Sequence, residues 1–168
     1  MADLTLKGNA IKSLGDLPKV GEAAKPFTLV NKDLSEVTLE NFSGKIKVIC
    51  TVPSLDTGTC ATSAKRFNQE VSKFPNIVIL FVSMDLPFAQ KRFCESEGVN
   101  NVMTLSAFRS KFPEDYFLRI TDGPIAGLCS RTVIIVNGEN KIVYTQQVKE
   151  ISEEPNYEEV LNFLKTLS

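Results

Sequence analysis

The pattern of apolar and polar residues divides the chain into strands and helices. Three short runs are almost continuously apolar and rich in β-branched residues: Lys45–Val52, Asn76–Ser83 and Thr132–Asn137. Such runs are typical of strands covered on both faces, so we predict that they are the central strands of a sheet. The stretch Asn137–Asn140 then separates the third run from Lys141–Val148, which predicts a hairpin that adds an antiparallel strand and makes the sheet mixed.

Three other segments are predicted to be helices. The first has apolar residues at steps of four, three, four and three, and begins at a cysteine: Cys60, Ala64, Phe67, Val71 and Phe74. The second is Pro87–Glu97, because proline suits a first turn and Gly98 suits a C-terminal cap, and Cys94 falls in its last turn. The third, Pro155–Leu167, is predicted to be a packing helix near the end of the chain.

The first residues predict a small hairpin ahead of the main fold, with Leu4–Lys7 and Ala10–Ser13 as short strands. Strands that alternate with helices indicate the α/β class, and a hairpin followed by a helix at the end is typical of a thioredoxin-like fold. We therefore predict one thioredoxin-like domain over residues 1–168, with a mixed central sheet flanked by helices and an N-terminal β-hairpin. Such a fold does not by itself assign a function.

Charge and composition narrow the classes of function. The chain has 19 lysines and arginines against 20 aspartates and glutamates, so there is no basic surplus to hold a nucleic-acid backbone. The segment Met1–Lys19 lacks the continuous apolar core of a signal peptide, and no uncharged run approaches the roughly 20 residues that span a bilayer. We expect a cytoplasmic protein that binds neither nucleic acid nor membrane.

Cysteine is the residue type that carries the candidate chemistry. The four cysteines, Cys50, Cys60, Cys94 and Cys129, are too few for a disulfide framework, so any disulfide is expected to be functional. The chain has no histidine and no C-x-x-C pair, which removes the usual zinc spacings and any imidazole base. We expect neither a metal nor a cofactor.

Cys60 follows a buried strand and a turn, and it lies in the first turn of the predicted helix. Unpaired N–H groups and a partial positive charge at a helix N-terminus favour a reactive thiolate. The alternative is that Cys60 is only the first apolar residue of an amphipathic helix. Its position alone leaves both interpretations open.

The residues around Cys60 resemble the active-site signature of the peroxiredoxin family, as Pro53-x-x-x-Thr57-x-x-Cys60. Four stretches resemble the thiol peroxidase subgroup of that family: Pro53–Thr57, Ala61–Ser63, Val82–Cys94 and Gly123–Arg131. The resemblance covers nearly the whole chain. It implies a thioredoxin fold with an N-terminal hairpin, a homodimer, and reduction of hydroperoxides, organic ones especially, with electrons from thioredoxin.

The resemblance implies a role for each matched residue. Cys60 would be the peroxidatic nucleophile, which attacks the hydroperoxide, becomes a sulfenic acid and releases alcohol or water. Thr57 would present its hydroxyl to the thiolate and the attacked oxygen, its alternative role being a helix N-cap. Arg131 would face the thiolate and the peroxide, its alternative role being a salt bridge to a carboxylate. Pro53 would shape the turn and shield the thiolate.

By the same resemblance, Cys94 would be the resolving cysteine, which forms an intramolecular disulfide with Cys60 that thioredoxin reopens. A disulfide needs Cα atoms within about 7 Å, so two cysteines in separate helices imply local unwinding near one of them. Cys50, inside an apolar run, is expected to be an inert core thiol. An extended chain would place Cys129 on the same side as Arg131, near the site; otherwise it is an incidental buried residue.

Thr59 departs from the family pattern, in which an apolar residue usually precedes the nucleophile, and we expect it to tune the preference for the peroxide. Two other functions would share the fold. A disulfide reductase is disfavoured because the chain lacks C-x-x-C. A non-enzymatic redox-sensing or binding module would tolerate the loss of the Cys60 thiol.

Overall fold

The computed structural model describes residues 3–70 and 73–167. It begins with an antiparallel hairpin of β1 (Asp3–Leu6) and β2 (Asn9–Lys12), in which Leu4 lies opposite Ile11. The two turn residues, Lys7 and Gly8, have φ angles of 50° and 83°. A two-residue turn between twisted strands requires such positive values, which is why glycine suits it. The predicted hairpin is confirmed.

The main sheet of the described residues is seven-stranded and mixed. Its strands are β3 (Thr28–Asn31), β4 (Glu36–Thr38), β5 (Ile46–Thr51), β6 (Ile77–Ser83), β7 (Met103–Ser106), β8 (Thr132–Val136) and β9 (Ile142–Gln147). They lie in the spatial order β4-β3-β7-β6-β5-β8-β9. The pairs β5–β6 and β6–β7 are parallel, whereas β8 pairs with β5 and β9 in antiparallel fashion. The three predicted central strands are β5, β6 and β8, and they are adjacent.

The helices found in the described part of the chain include all three that the sequence predicts. The four α-helices described are α1 (Gly58–Glu70), α2 (Pro87–Glu97), α3 (Phe112–Asp115) and α4 (Tyr157–Leu167), and α3 is the one that was not predicted. The C-terminal cap of α2 is Gly98, with a left-handed φ of 66°. Helix α4 begins at Tyr157 rather than at Pro155, because the Asn156 side chain accepts the N–H of Glu159 at 3.0 Å and caps the first turn.

Two further points concern the helices. Val71, predicted on the apolar face of α1, lies outside the described residues. Among the residues that are described, no helix is long and apolar enough to cross a membrane.

The sheet separates two hydrophobic cores. On one face, the core includes Ile49, Leu80, Val82, Leu105, Ile134 and Phe112 of α3. On the other face, α1, α2 and α4 contribute Phe67, Phe93 and Leu164, which pack with Val48, Phe81, Val133 and Ile135. Neighbouring residues of one strand alternate between the two cores, as the period of a strand requires. Both Cys60 and Cys94 lie in the second core.

Candidate active site

The Cys60 side chain is fully buried in the first turn of α1. Strand β5 ends at Thr51, and the loop 52–57 connects it to α1, which packs on one face of the sheet. The Sγ atom accepts a hydrogen bond from Nη1 of Arg131 at 3.0 Å. Positive charge therefore reaches the sulfur from both the guanidinium and the helix N-terminus, an arrangement that stabilises an anionic nucleophile.

Arg131 is 3% exposed and precedes β8. Besides Cys60, its guanidinium contacts the carbonyl of Ile151, to which Nε donates at 2.9 Å. Its own carbonyl accepts the N–H of Val148 at 3.0 Å, which fixes the backbone next to β9. In the described part of the chain Arg131 forms no ion pair with a carboxylate, so the salt-bridge alternative is wrong. Its buried cation faces a thiol instead.

Thr57 immediately precedes α1 and caps it. Its Oγ1 accepts the N–H of Cys60 at 3.2 Å and donates to the carbonyl of Ser54 at 3.3 Å. The first bond satisfies one of the free N–H groups at the helix start and fixes the backbone of Cys60. The capping role is therefore present, and the peroxide-binding role of the same hydroxyl stays a prediction.

Asp85, which the sequence reasoning missed, holds the loop before α1 in place. Its carboxylate accepts the Ser54 hydroxyl at 2.7 Å and the Leu55 N–H at 2.8 Å. It also accepts the Ser83 hydroxyl at 2.7 Å. The neighbouring Pro53 is buried. A signal was present: β5 and β6 are parallel, so a carboxylate just after β6 lies at the sheet edge where β5 also ends.

Cys94 lies in α2 on the same side of the sheet as Cys60, and it is 5% exposed. Its Sγ lies 3.6 Å from Oγ1 of Thr104 on β7. All four cysteines lie among the described residues, and each is a free thiol. The disulfide between Cys60 and Cys94 stays a prediction, and both helices that carry the two cysteines are intact.

An open cavity of about 420 Å³ lies between the loop before α1 and the side of α2. Thr57 and Ala61 line it on one side and Phe93 lines it on the other. A larger cavity of about 800 Å³ lies elsewhere, against Phe27 and Phe112, and none of the predicted site residues lines it. The smaller cavity is thus the one that adjoins the first turn of α1.

Cys50 and Cys129 are buried, and neither has a cation at hydrogen-bond distance within the part of the chain that the structure describes. Burial raises the pKa of Cys50 far above its ordinary value, as expected for an inert core thiol. Burial also raises the pKa of Cys129 to about 12, although Arg119 lowers it in part. Cys129 packs in the core on the opposite face from Cys60, so the arrangement that an extended chain would give, with Cys129 on the side of Arg131, does not occur. The structure agrees with the alternative, an incidental buried residue.

No three histidine, cysteine, aspartate or glutamate side chains cluster as metal ligands within residues 3–70 and 73–167. The sequence model of the redoxin family matches residues 19–161. The chain belongs to the redoxin family.

Comparison with individual proteins shows which redoxins the chain is similar to. The chain is 47% identical over 161 residues to the thiol peroxidases of Mycobacterium tuberculosis and Mycobacterium bovis, covering 96% of this chain and 97% of each relative. A peroxiredoxin-like protein from Aquifex aeolicus has 44% sequence identity to this chain. Its crystal structure matches with a TM-score of 0.94 over 99% of this chain and 97% of that one. A thiol peroxidase from Chromobacterium violaceum, 22% identical, shares the fold with a TM-score of 0.90 over 98% of this chain and 95% of that one.

These similarities confirm the resemblance to the thiol peroxidases, the thioredoxin-like fold of this redoxin and the predicted class of enzyme, a thiol-dependent peroxidase. They favour a peroxidase over the two alternatives, a disulfide reductase and a non-enzymatic module. The roles of Cys60, Cys94, Thr57, Arg131 and Pro53 stay predictions that the geometry supports.

Proposed function

We propose that this redoxin reduces alkyl hydroperoxides and hydrogen peroxide with Cys60 as the nucleophile. The observation that carries the proposal is the contact of 3.0 Å between Arg131 Nη1 and Cys60 Sγ, with both side chains buried. A buried guanidinium needs an anionic partner, and a cysteine thiolate supplies one. No other cysteine has such a partner in the described part of the chain.

In the first step, the Cys60 thiolate attacks the terminal oxygen of the hydroperoxide. A sulfur–oxygen bond forms, the oxygen–oxygen bond breaks, and the leaving alkoxide takes a proton to depart as alcohol. Arg131 stabilises negative charge on the sulfur and then on the separating oxygens. Because the chain has no histidine, the proton comes from the hydroperoxide or from solvent.

Thr57 and Pro53 shape the place where the peroxide binds. The Thr57 hydroxyl accepts the Cys60 N–H, and its own hydrogen reaches the Ser54 carbonyl only across 3.3 Å. That long bond is readily exchanged for one to a peroxide oxygen in the adjoining cavity. Pro53 closes the turn without an N–H of its own, so it shields the thiolate and adds no competing donor.

In the second step, the Cys94 thiol attacks the sulfenic sulfur, forms the disulfide and releases water. Cys94 is buried in α2 beside Thr104, and Cys60 is held in α1. Because the two cysteines lie in separate helices, we expect them to meet through unwinding of part of α1 or α2, which intact helices resist through their backbone hydrogen bonds. Reduced and oxidised protein should therefore differ in amide exchange over residues 57–63 and 88–97.

The disulfide is returned to two thiols by thioredoxin, and the enzyme acts as a single-domain protein in a homodimer. The support for the dimer is the resemblance, together with the exposed apolar side chains of Leu86 and Phe88 at the start of α2. Apolar surface of this kind is what an interface between copies covers. A cytoplasmic location suits a chain whose four cysteines are too few for a disulfide framework, because a reducing compartment keeps unpaired cysteines as thiols.

The test combines substrate and reductant in one assay. The protein is mixed with cumene hydroperoxide or hydrogen peroxide, a thioredoxin system and NADPH, and NADPH consumption is followed. We expect turnover by the wild type and by Cys50→Ala, which removes a core thiol outside the site. Cys60→Ser should abolish turnover, and Cys94→Ser should react once with peroxide without cycling. Absence of turnover by reduced wild-type protein with either peroxide would contradict the proposal.

A further inference from the structure

The connection between β9 and α4 contacts both Arg131 and the first turn of α1. The carbonyl of Ile151 accepts Nε of Arg131 at 2.9 Å, and the next carbonyl, that of Ser152, accepts Oγ1 of Thr59 at 2.9 Å. Thr59 precedes Cys60 in the first turn of α1. Two adjacent peptide groups therefore hold the guanidinium that faces Cys60 and the helical turn that carries Cys60.

The Ser152 carbonyl is a rigid acceptor because Glu150 anchors this connection to the N-terminal hairpin. The Glu150 carboxylate accepts the N–H groups of Lys7 and Gly8 at 3.1 and 2.8 Å and the hydroxyl of Thr5 at 3.0 Å. It also accepts the N–H and the hydroxyl of Ser152 at 2.9 and 2.6 Å. These bonds, led by the Ser152 hydroxyl, lower the pKa of Glu150 to about 2, so the anchor stays charged at any physiological pH.

The Thr59 bond crosses from α1 to a different part of the chain, unlike the other threonine bond in this half of the helix. The hydroxyl of Thr62 donates to the Gly58 carbonyl at 2.9 Å, within α1 itself. If the first turn of α1 unwinds to bring Cys60 to Cys94, the Thr59 side chain leaves its acceptor on the anchored connection. The bond between Arg131 and Ile151 involves no atom of α1 and can remain.

We propose that Thr59 is a positioning residue that restrains the unwinding of α1 through its hydrogen bond to Ser152 and so slows formation of the Cys60–Cys94 disulfide. This inference rests on the proposed function, because it concerns the step after Cys60 has become a sulfenic acid. An apolar residue at position 59 has no hydroxyl to donate and leaves the first turn free to open.

The restraint has a chemical consequence, because the sulfenic acid has two competing fates. Attack by the Cys94 thiol forms the disulfide and releases water. Reaction with a second hydroperoxide oxidises the sulfenic acid to a sulfinic acid and releases alcohol, which removes the enzyme from the cycle. A tether that prolongs the life of the sulfenic acid therefore makes Cys60 more sensitive to excess peroxide.

The test compares Thr59→Val, which has the same shape but no donor, with Thr59→Ser, which keeps the hydroxyl. Each reduced protein is mixed with one equivalent of cumene hydroperoxide and quenched at intervals with an alkylating reagent. Mass spectrometry then gives the fraction with the disulfide. We expect disulfide formation roughly fivefold faster in Thr59→Val than in the wild type, as the net contribution of one hydrogen bond implies, and restored to the wild-type rate in Thr59→Ser.

A second measurement separates the tether from a change in the chemistry of Cys60. With excess hydrogen peroxide and a thioredoxin system, the sulfinic acid formed per turnover should be lower in Thr59→Val and unchanged in Thr59→Ser. Equal rates of disulfide formation in all three proteins, or the same rate change in the serine variant as in the valine variant, would overturn the inference. A wild-type protein that reacts with peroxide but forms no Cys60–Cys94 disulfide would instead overturn the proposed role of Cys94, and this inference with it.

Discussion

Cys60 and Cys129 are both completely buried, yet their surroundings differ in charge. Cys60 lies in the first turn of a helix with a guanidinium nitrogen 3.0 Å from its sulfur. Cys129 lies in an apolar core on the other face of the sheet, where burial raises its pKa to about 12. The comparison indicates that burial in an apolar core disfavours the thiolate, whereas fixed positive charge beside a buried cysteine favours it.

The most direct test of the contrast between Cys60 and Cys129 is to measure which of the two thiols reacts with peroxide. In Cys94→Ser, where no resolving thiol competes, hydrogen peroxide followed by dimedone should label Cys60 more than about a thousandfold faster than Cys129. A pKa of about 12 leaves roughly one Cys129 thiolate in 100,000 at pH 7, and the thiolate is the reactive form. Mass mapping of the labelled peptides measures both sites. Comparable labelling of Cys129 in the folded protein would refute the contrast.

Removing the cation beside each thiol sharpens the comparison. Arg131→Met should lower kcat/KM for cumene hydroperoxide by roughly 10²- to 10³-fold, the usual cost of losing one preorganised donor to developing charge. The matched control is Arg119→Met, because Arg119 is the cation that acts on Cys129. It should retain about the wild-type value. Equal losses in the two variants would mean that both arginines act only through stability, which thermal unfolding would reveal.

Asp85 affects both thiols, and its removal gives the smallest expected effect. Its carboxylate orders the loop before α1, and its charge raises the pKa of Cys129. Asp85→Asn replaces a charged acceptor of three hydrogen bonds and should lower kcat/KM roughly tenfold. The control is Asp56→Asn, in the same loop, whose ion pair with Arg92 spans 3.9 Å between exposed side chains and contributes little. A similar loss in both variants would argue against a specific role for Asp85.

The elements that were predicted from the sequence are those that show a period or are marked by a turn or a cap, as the hairpin β1–β2 and helix α2 are. Helices α1, α2 and α4 and strands β5, β6 and β8 each carry a pattern that matches their burial. Strands β3, β4 and β7 have only three or four residues each, too few to show an alternation. The short helix α3 was missed for the same reason.

The residues next to Cys60 in the sequence were enough to predict its position in the first turn of a helix and the N-cap at Thr57. They were not enough to predict the contacts that support the site. Asp85 and Ile151 reach the site from segments 25 and 91 positions further along the chain, and no local pattern marks either. The side on which Cys129 lies stayed open in the sequence, because it depends on whether the chain is extended up to Arg131. The backbone instead carries the two side chains to opposite faces of the sheet.

The hydrogen bonds of Glu150 also bear on the order in which the contacts of the site form as the chain folds. The bond between Thr5 and Glu150 joins residues 145 positions apart, so the acceptor for Arg131 is in place only after the N-terminal hairpin has met the segment that follows β9. Contacts of such long sequence separation pay for loop closure before they contribute stability. A chain that has formed α1 and β8 but not this junction therefore lacks the contact that orients the Arg131 guanidinium, so the surroundings of Cys60 are completed only after the junction forms.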